Sequence, residues 1–336
     1  MAVDNRLGTS TLTFSKGPRI TSRYTLVGPM EGKGPHALDF HEILSDDSLG
    51  QKTAEKTERL MLELAITKTL EQHGTRIKDV QFLIAGDLLN QITTSNLAAS
   101  THTAPFIGIY GACSTFAEAL GLGAVLLQGG FANQVLIGTA SHYQTAERQF
   151  RYPIELNVQH LSTNQVTVTG AAAAILSFAE RGPRITHATF GSVVDMGLKD
   201  PHDMGSAMAP AAFQTIQQHL ADTQRTLADY DIVITGDLGK QGSKMLRLLL
   251  EREGCSGLER LQDGGSQIFG DWQSVGSGGS GAACIAVMTL GYVLNCLESA
   301  KAKRVLVVAT GALLSALTVL QGESIPCIAH AIALEQ

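Results

Sequence analysis

Cys113 is the residue of this sequence best placed to do chemistry. It stands in Ile109-Tyr110-Gly111-Ala112-Cys113-Ser114-Thr115, where an apolar stretch turns into a run of small apolar residues with helical spacing. Backbone N–H groups at a helix start have no helical carbonyl to donate to, and together with the helix dipole they stabilise a thiolate. The same groups can hold an oxyanion. Two expectations follow: a thiol with a lowered pKa, or a small buried side chain of the kind most free cysteines are. A second helix start follows Val275-Gly276-Ser277-Gly278-Gly279-Ser280-Gly281. Glycines there let a ligand approach the backbone, and successive N–H groups form a concavity suited to carboxylate or phosphate. Read alone, such a loop is equally a flexible turn. If the two starts face one cleft, both aim positive dipole ends at one anionic guest.

The elements that would position these residues come in pairs. Gly17-Pro18-Arg19-Ile20-Thr21 recurs as Gly182-Pro183-Arg184-Ile185-Thr186, each time leading into a β-branched run that predicts a strand. Ile84-Ala85-Gly86-Asp87-Leu88, followed by Gln91, recurs as Ile234-Thr235-Gly236-Asp237-Leu238, followed by Gln241. The helix from about Ser114 to Gln128 and the strand Val135–Gly138 match a helix from about Ala282 to Glu298 and the strand Val305–Val308. Three collinear matches predict a duplication, with halves at residues 1–180 and 181–336. Strand and helix alternate in each half, which predicts a mostly parallel sheet with right-handed crossovers. The paired helices are apolar nearly all round and should be buried between two sheets, giving a five-layer α/β/α/β/α sandwich.

The totals exclude several classes. With a net charge of -6 and no Lys/Arg-rich run, the chain has no general attraction for nucleic acid. The cysteines Cys113, Cys255, Cys284, Cys296 and Cys327 have neither metal-ligand nor disulfide-framework spacing, which predicts a reducing compartment. The N-terminus lacks the apolar core of a signal peptide. The most apolar stretch, from Ala117 to Gly138, carries Glu118, Gln128, Asn133 and Gln134 and falls short of a span, so any membrane contact is expected to be peripheral.

The Gly-Ala-Cys-Ser-Thr turn, the small-residue helix after it, the Gly-rich second turn and the ending Pro326-Cys327-Ile328-Ala329-His330 resemble the thiolase and ketoacyl synthase superfamily across essentially the whole chain. The resemblance implies a thiolase-like fold, a nucleophile at Cys113 and an acid/base cysteine at Cys327. It also shows departures. Gly276-Ser277-Gly278 stands where the family has Gly-His-Pro or Gly-Asn, and Gly236-Asp237 where it has an Asn or His. Condensation needs neutral donors for a developing enolate; losing one costs about 10² to 10³ in rate, and an ionised Asp237 would repel the enolate. The alternatives are therefore a silent binding protein, an acyltransferase or thioesterase using Cys113 with Cys327 or His330, or a scaffold for membrane partners.

Four strings, among them Ala85-Gly86-Asp87-Leu88-Leu89-Asn90-Gln91 and those at 145–153, 203–210 and 323–330, resemble a non-enzymatic, sporulation-associated branch of the superfamily. That resemblance implies a dipicolinate-binding, peripheral subunit of the complex that moves calcium dipicolinate into the developing spore, at the cytoplasmic face of its inner membrane. It implies a homodimer and no cofactor. Dipicolinate is a flat pyridine with two carboxylates, suited to helix-start N–H groups on one side and a forked guanidinium on the other. Arg148 and Arg151 are candidates for that fork, or else form salt bridges with Glu147 and Glu155, or dimer contacts. Ser277, Gly278 and Gly279 are candidates for the N–H side. Asp237 could share calcium, or could be a cap like its duplicate Asp87. His142 and His330 are either polar cleft residues or hydrogen-bonded structure. Met204 and Met208 are either an apolar wall for the ring or core.

Overall fold

The computed structural model describes residues 5–150 and 161–336. The first half supplies strands β1 (Arg19–Val27), β2 (Phe82–Gly86), β3 (Phe106–Gly108), β4 (Gln134–Ser141) and β5 (Gly170–Ser177), ordered β3-β2-β4-β5-β1. The second supplies β6 (Arg184–Phe190), β7 (Ile232–Thr235), β8 (Leu261–Asp263), β9 (Arg304–Ala312) and β10 (Cys327–Glu335), ordered β8-β7-β9-β10-β6. The order is the same in both halves, as duplication requires. The sheets are less parallel than their alternation with helices suggests. In each half the two pairings within the β3-β2-β4 type run are parallel, but the fifth strand runs back beside the fourth and the first strand lies antiparallel to it.

The repeated Gly-Pro-Arg-Ile string marks where the halves meet. Arg19 of β1 stands opposite Arg184 of β6. Ile20 N–H donates to Pro183 O at 3.0 Å, and Ile185 N–H donates to Pro18 O at 2.8 Å. Each copy of the string thus caps the other reciprocally, and the pseudo-two-fold axis passes between them. Elsewhere helices separate the sheets.

Helix α1 (Ala54–His73) covers the outer face of the first sheet, with Met61, Leu62, Ala65 and Ile66 buried on Leu83, Leu136 and Ile175. Helices α4 (Met204–Thr223) and α5 (Gly239–Arg252) cover the outer face of the second. The middle layer holds α2 (Thr115–Gln128) and α6 (Ala282–Met288), which continues through a π-helical turn to Glu298. A short helix α3 (Tyr143–Phe150) follows β4. Strand β5 shows why strict alternation of polar and apolar residues is absent. Ala171, Ala173 and Ile175 face α1 while Ala172, Ala174 and Leu176 face the middle layer, so both sides are apolar. In α2, Gly121 lets β6 come close, since a Cβ there would lie 2.7 Å from the Phe190 ring.

Candidate functional site

Cys113 lies on a one-turn 3₁₀ segment, Ala112–Ser114, that leads into α2. Ala112 takes a left-handed backbone, φ 51°, a conformation that costs a non-glycine residue of order 1 kcal/mol or more and turns the thiol toward the junction of the halves. The turn is fixed from both sides. Ser114 Oγ donates to Gly111 O, and Thr115 Oγ1 donates to Ala112 O, each at 2.7 Å. From the second half, Gly311 packs so closely that a Cβ there would lie 2.3 Å from Gly111 O.

The Gly-rich loop reaches the same place. Gly278–Ser280 pairs in parallel with Gln165–Thr167, and Gly281, φ 110°, opens α6 where a Cβ would meet Ser141 Oγ at 2.9 Å. Cys113, Ser280 and Gly281 form the floor of a pocket walled by Leu88, Tyr110 and Phe150 from the first half and by Met204, Met208 and Leu314 from the second. Its volume is about 40 Å³, room for a few waters. A larger guest needs the walls to move, and the unbranched Met204 and Met208 are the side chains suited to that.

Asp237 stands beside Cys113. Its Oδ1 accepts from Thr310 Oγ1 at 2.5 Å, while its Oδ2 is buried with no hydrogen-bond partner. Burial pushes its carboxyl up to about 7, against the opposing pull of the Cys113 thiol, Thr310 and Gly281 N–H. The duplicate Asp87 has a different task. Its two oxygens accept from Leu89 N–H at 2.9 Å and Ser95 N–H at 2.7 Å, so it is a cap. In the second half Asp263 does the capping, accepting from Leu238, Gly239 and Ser266 N–H, and Asp237 lies buried behind the Cys113 floor, not among the residues that line the pocket.

Of the two expectations for Cys113, a lowered pKa or a small buried side chain, burial opposes the first. Burial, and then the neighbouring Asp237 carboxylate, push this thiol well above its ordinary value; Gly281 N–H is the one group that pulls it down. Desolvation and a negative neighbour outweigh the helix start. Cys327 is also buried, and its thiol is pushed up to about 12 by burial and then by Asp237.

The other residues singled out from the sequence are dispersed. Gly278 and Gly279 lie in the short strand behind the floor, and Ser277 Oγ accepts from Gln241 N–H at 3.0 Å. His142 Nε2 bonds Asp47 O at 2.9 Å, away from the Cys113 floor. Arg148 is half exposed and pairs with Glu55 at 2.9 Å on the outer surface, in a different depression beside Asp46 and Lys52. Arg151 falls outside the described residues. His330 accepts from Gly191 N–H at 3.3 Å against the edge of the Phe190 ring, and burial lowers its pKa to about 4. Met204 and Met208 do line the pocket. Tyr110, Phe150, Leu314 and Thr310 were not read as site residues, because each carries its role through tertiary placement rather than through a motif. Among the described residues no group of three or more His, Cys, Asp or Glu could hold a metal ion, and no helix is long and apolar enough to cross a membrane.

A two-sheet duplication with a cysteine turn and a second helix start at one pocket is the thiolase-like architecture of condensing enzymes. Solved structures agree on the fold. The 3-oxoacyl-[acyl-carrier-protein] synthase III of Aquifex aeolicus superposes with a TM-score of 0.59 at 14% identity, covering 95% of this chain and 100% of that one. Cerulenin-bound OleA of Xanthomonas campestris gives a TM-score of 0.60 at 12% identity, over 97% and 100%. The family model for stage V sporulation protein AD matches residues 8–335. The stage V sporulation protein AD of Bacillus subtilis (strain 168) is 42% identical over 329 residues, 98% of this chain and 97% of that protein. The chain belongs to the stage V sporulation protein AD family.

Proposed function

We propose that this protein serves sporulation as a catalytically silent thiolase-like subunit that binds dipicolinate, or its calcium chelate, in the Cys113 pocket. In this reading it works with the other subunits of the spore dipicolinate uptake complex, peripherally on the cytoplasmic face of the inner membrane and as a two-fold dimer. The carrying observation is the buried Oδ2 of Asp237, without a hydrogen-bond partner beside the Cys113 thiol that floors the pocket, which a ligand reaches as the walls move. Protonated, it can donate to a ligand carboxylate; ionised, it can take a calcium ion carried in by the chelate. Neither state suits an enolate. The Met204, Met208 and Tyr110 walls suit a flat ring. Acyl transfer at Cys113 is the disfavoured alternative, since only the thiolate is a nucleophile.

Thermal unfolding with increasing dipicolinate, with and without calcium, tests this. Ligand that binds only the folded chain must raise Tm with concentration. Met208→Trp, which fills the pocket, should abolish the rise, and Arg148→Ala should leave it unchanged. No rise at saturating dipicolinate sinks the reading, and so does a mass increase at Cys113 after incubation with acyl-CoA.

A further inference from the structure

Helix α5 turns toward solvent a face for which the fold has no use. Its buried side is Gly239, Gly242, Leu246 and Leu250. Opposite stand Lys240, Lys244, Arg247 and Arg252, all exposed, with Glu251 the one acid among them. Leu248 is 60% exposed and Met245 38%, so apolar side chains are interleaved with the cations. Lys240 Nζ pairs with Asp271 at 2.8 Å, which sets the 73%-exposed Trp272 beside the first turn.

Lys244 and Arg247 border a depression of about 220 Å³ at the carboxyl ends of β7 and β8, and neither has an ion pair or hydrogen bond among the described residues. Ser243 Oγ and Gln267 Oε1 are buried there without hydrogen-bond partners. Asp263 lies on the floor, but its oxygens are taken up by Thr235 Oγ1 and by the three N–H groups it caps. Two uncommitted cations around a polar hollow suit a phosphate ester. Exposed Trp, Leu and Met alongside them suit a headgroup layer over its acyl boundary, which a free phosphate would leave uncovered.

We propose that this face of α5, with Trp272, docks on an anionic lipid bilayer, Lys244 and Arg247 taking a headgroup phosphate while Leu248 and Met245 rest at the acyl boundary. A second exposed apolar group, Val193, Met196, Leu317 and Leu320, has the wrong charge for this. It is ringed by Asp195, Asp200 and Glu323, and Lys199 spends its ammonium on Gly322 O. The docking proposal is independent of what the Cys113 pocket binds.

Sedimentation of the full chain with vesicles tests it. The chain should pellet with mixed phosphatidylglycerol and phosphatidylcholine vesicles, stay in solution with phosphatidylcholine alone, and be released by salt. Lys244→Gln with Arg247→Gln should weaken vesicle affinity roughly 30-fold, and Leu248→Asp should weaken it too, all with an unchanged melting temperature. Failure to pellet with phosphatidylglycerol, equal pelleting with both lipids, or an unaffected double variant overturns the proposal. Calorimetric heat from glycerol phosphate without vesicle binding overturns it as well, in favour of a soluble phosphate ester.

Discussion

Asp87 and Asp237 occupy the same place in a repeated string and have diverged in environment. Asp87 has N–H donors on both oxygens, whereas Asp237 takes the Thr310 hydroxyl on Oδ1 and lies beside the Cys113 thiol and Gly281 N–H, with Oδ2 buried without a hydrogen-bond partner. The consequence can be measured through stability. In the unfolded chain this carboxyl loses its proton near 4; in the folded chain burial holds it to about 7. Above pH 4 unfolding therefore releases a proton, and the folded state loses up to about 1.4 kcal/mol per pH unit until pH 7, or up to about 4 kcal/mol in all. Asp237→Asn removes that loss. The variant should match the wild type in urea unfolding near pH 4 and exceed it by a few kcal/mol at pH 8. Glu31 and Glu58, also raised by burial, to about 7 and about 8, titrate alike in both proteins and cancel in the difference. A difference that stays flat from pH 4 to 8 contradicts a raised carboxyl.

At the scale of elements, the outer layer of the second half depends on one close crossing. Where α4 meets α5, a Cβ on Gly242 would lie 2.4 Å from Gly205 O, and a Cβ on Gly205 would lie 2.2 Å from Leu238 O. Both oxygens are backbone and cannot swing aside, so Gly242→Ala must push the helices apart. It should destabilise the protein by about 1–3 kcal/mol, read as a fall in Tm, while Gly74→Ala, at an open C-cap, pays only its left-handed φ. Such a contact has no signature in the sequence, where Gly205 and Gly242 are two glycines among many. The repeats were legible because duplicated strings preserve order: Arg19 and Arg184 sit at matching positions and meet at the axis. The cleft was legible at Cys113 and the Gly281 helix start, each a local turn with its own chemistry. Arg148 was misleading because position after a strand does not tell which side a helix presents, and Glu55 of α1 claims it on the outside. The thiol pKa was not legible, and both readings of Cys113 stayed open, because burial and the approach of Asp237 are properties of packing between the halves.

The whole molecule raises the question of whether its halves are domains or only repeats. Helix α2 belongs to the first half in sequence, yet Gly121 packs on Phe190 and Ala188 of β6. Helix α6 belongs to the second, yet Thr139 Oγ1 of β4 donates to Ala282 O at 3.2 Å, and Val287 lies against Gly170 of β5. Each half thus buries the central helix of the other, and Phe116, Leu120, Leu127, Ile285, Val287 and Leu290 share one core. Separation would also leave Ile20 and Ile185 N–H without the Pro183 and Pro18 carbonyls. An isolated half would expose an apolar face larger than soluble monomers tolerate. Residues 1–180 and 181–336 expressed singly should therefore aggregate or lack near-ultraviolet dichroism, and co-expressed they should elute as a one-to-one complex with native dichroism. A half that is soluble, monomeric and melts cooperatively by itself would make the two halves true domains, and would mean that the middle layer was assembled from two surfaces each stable alone.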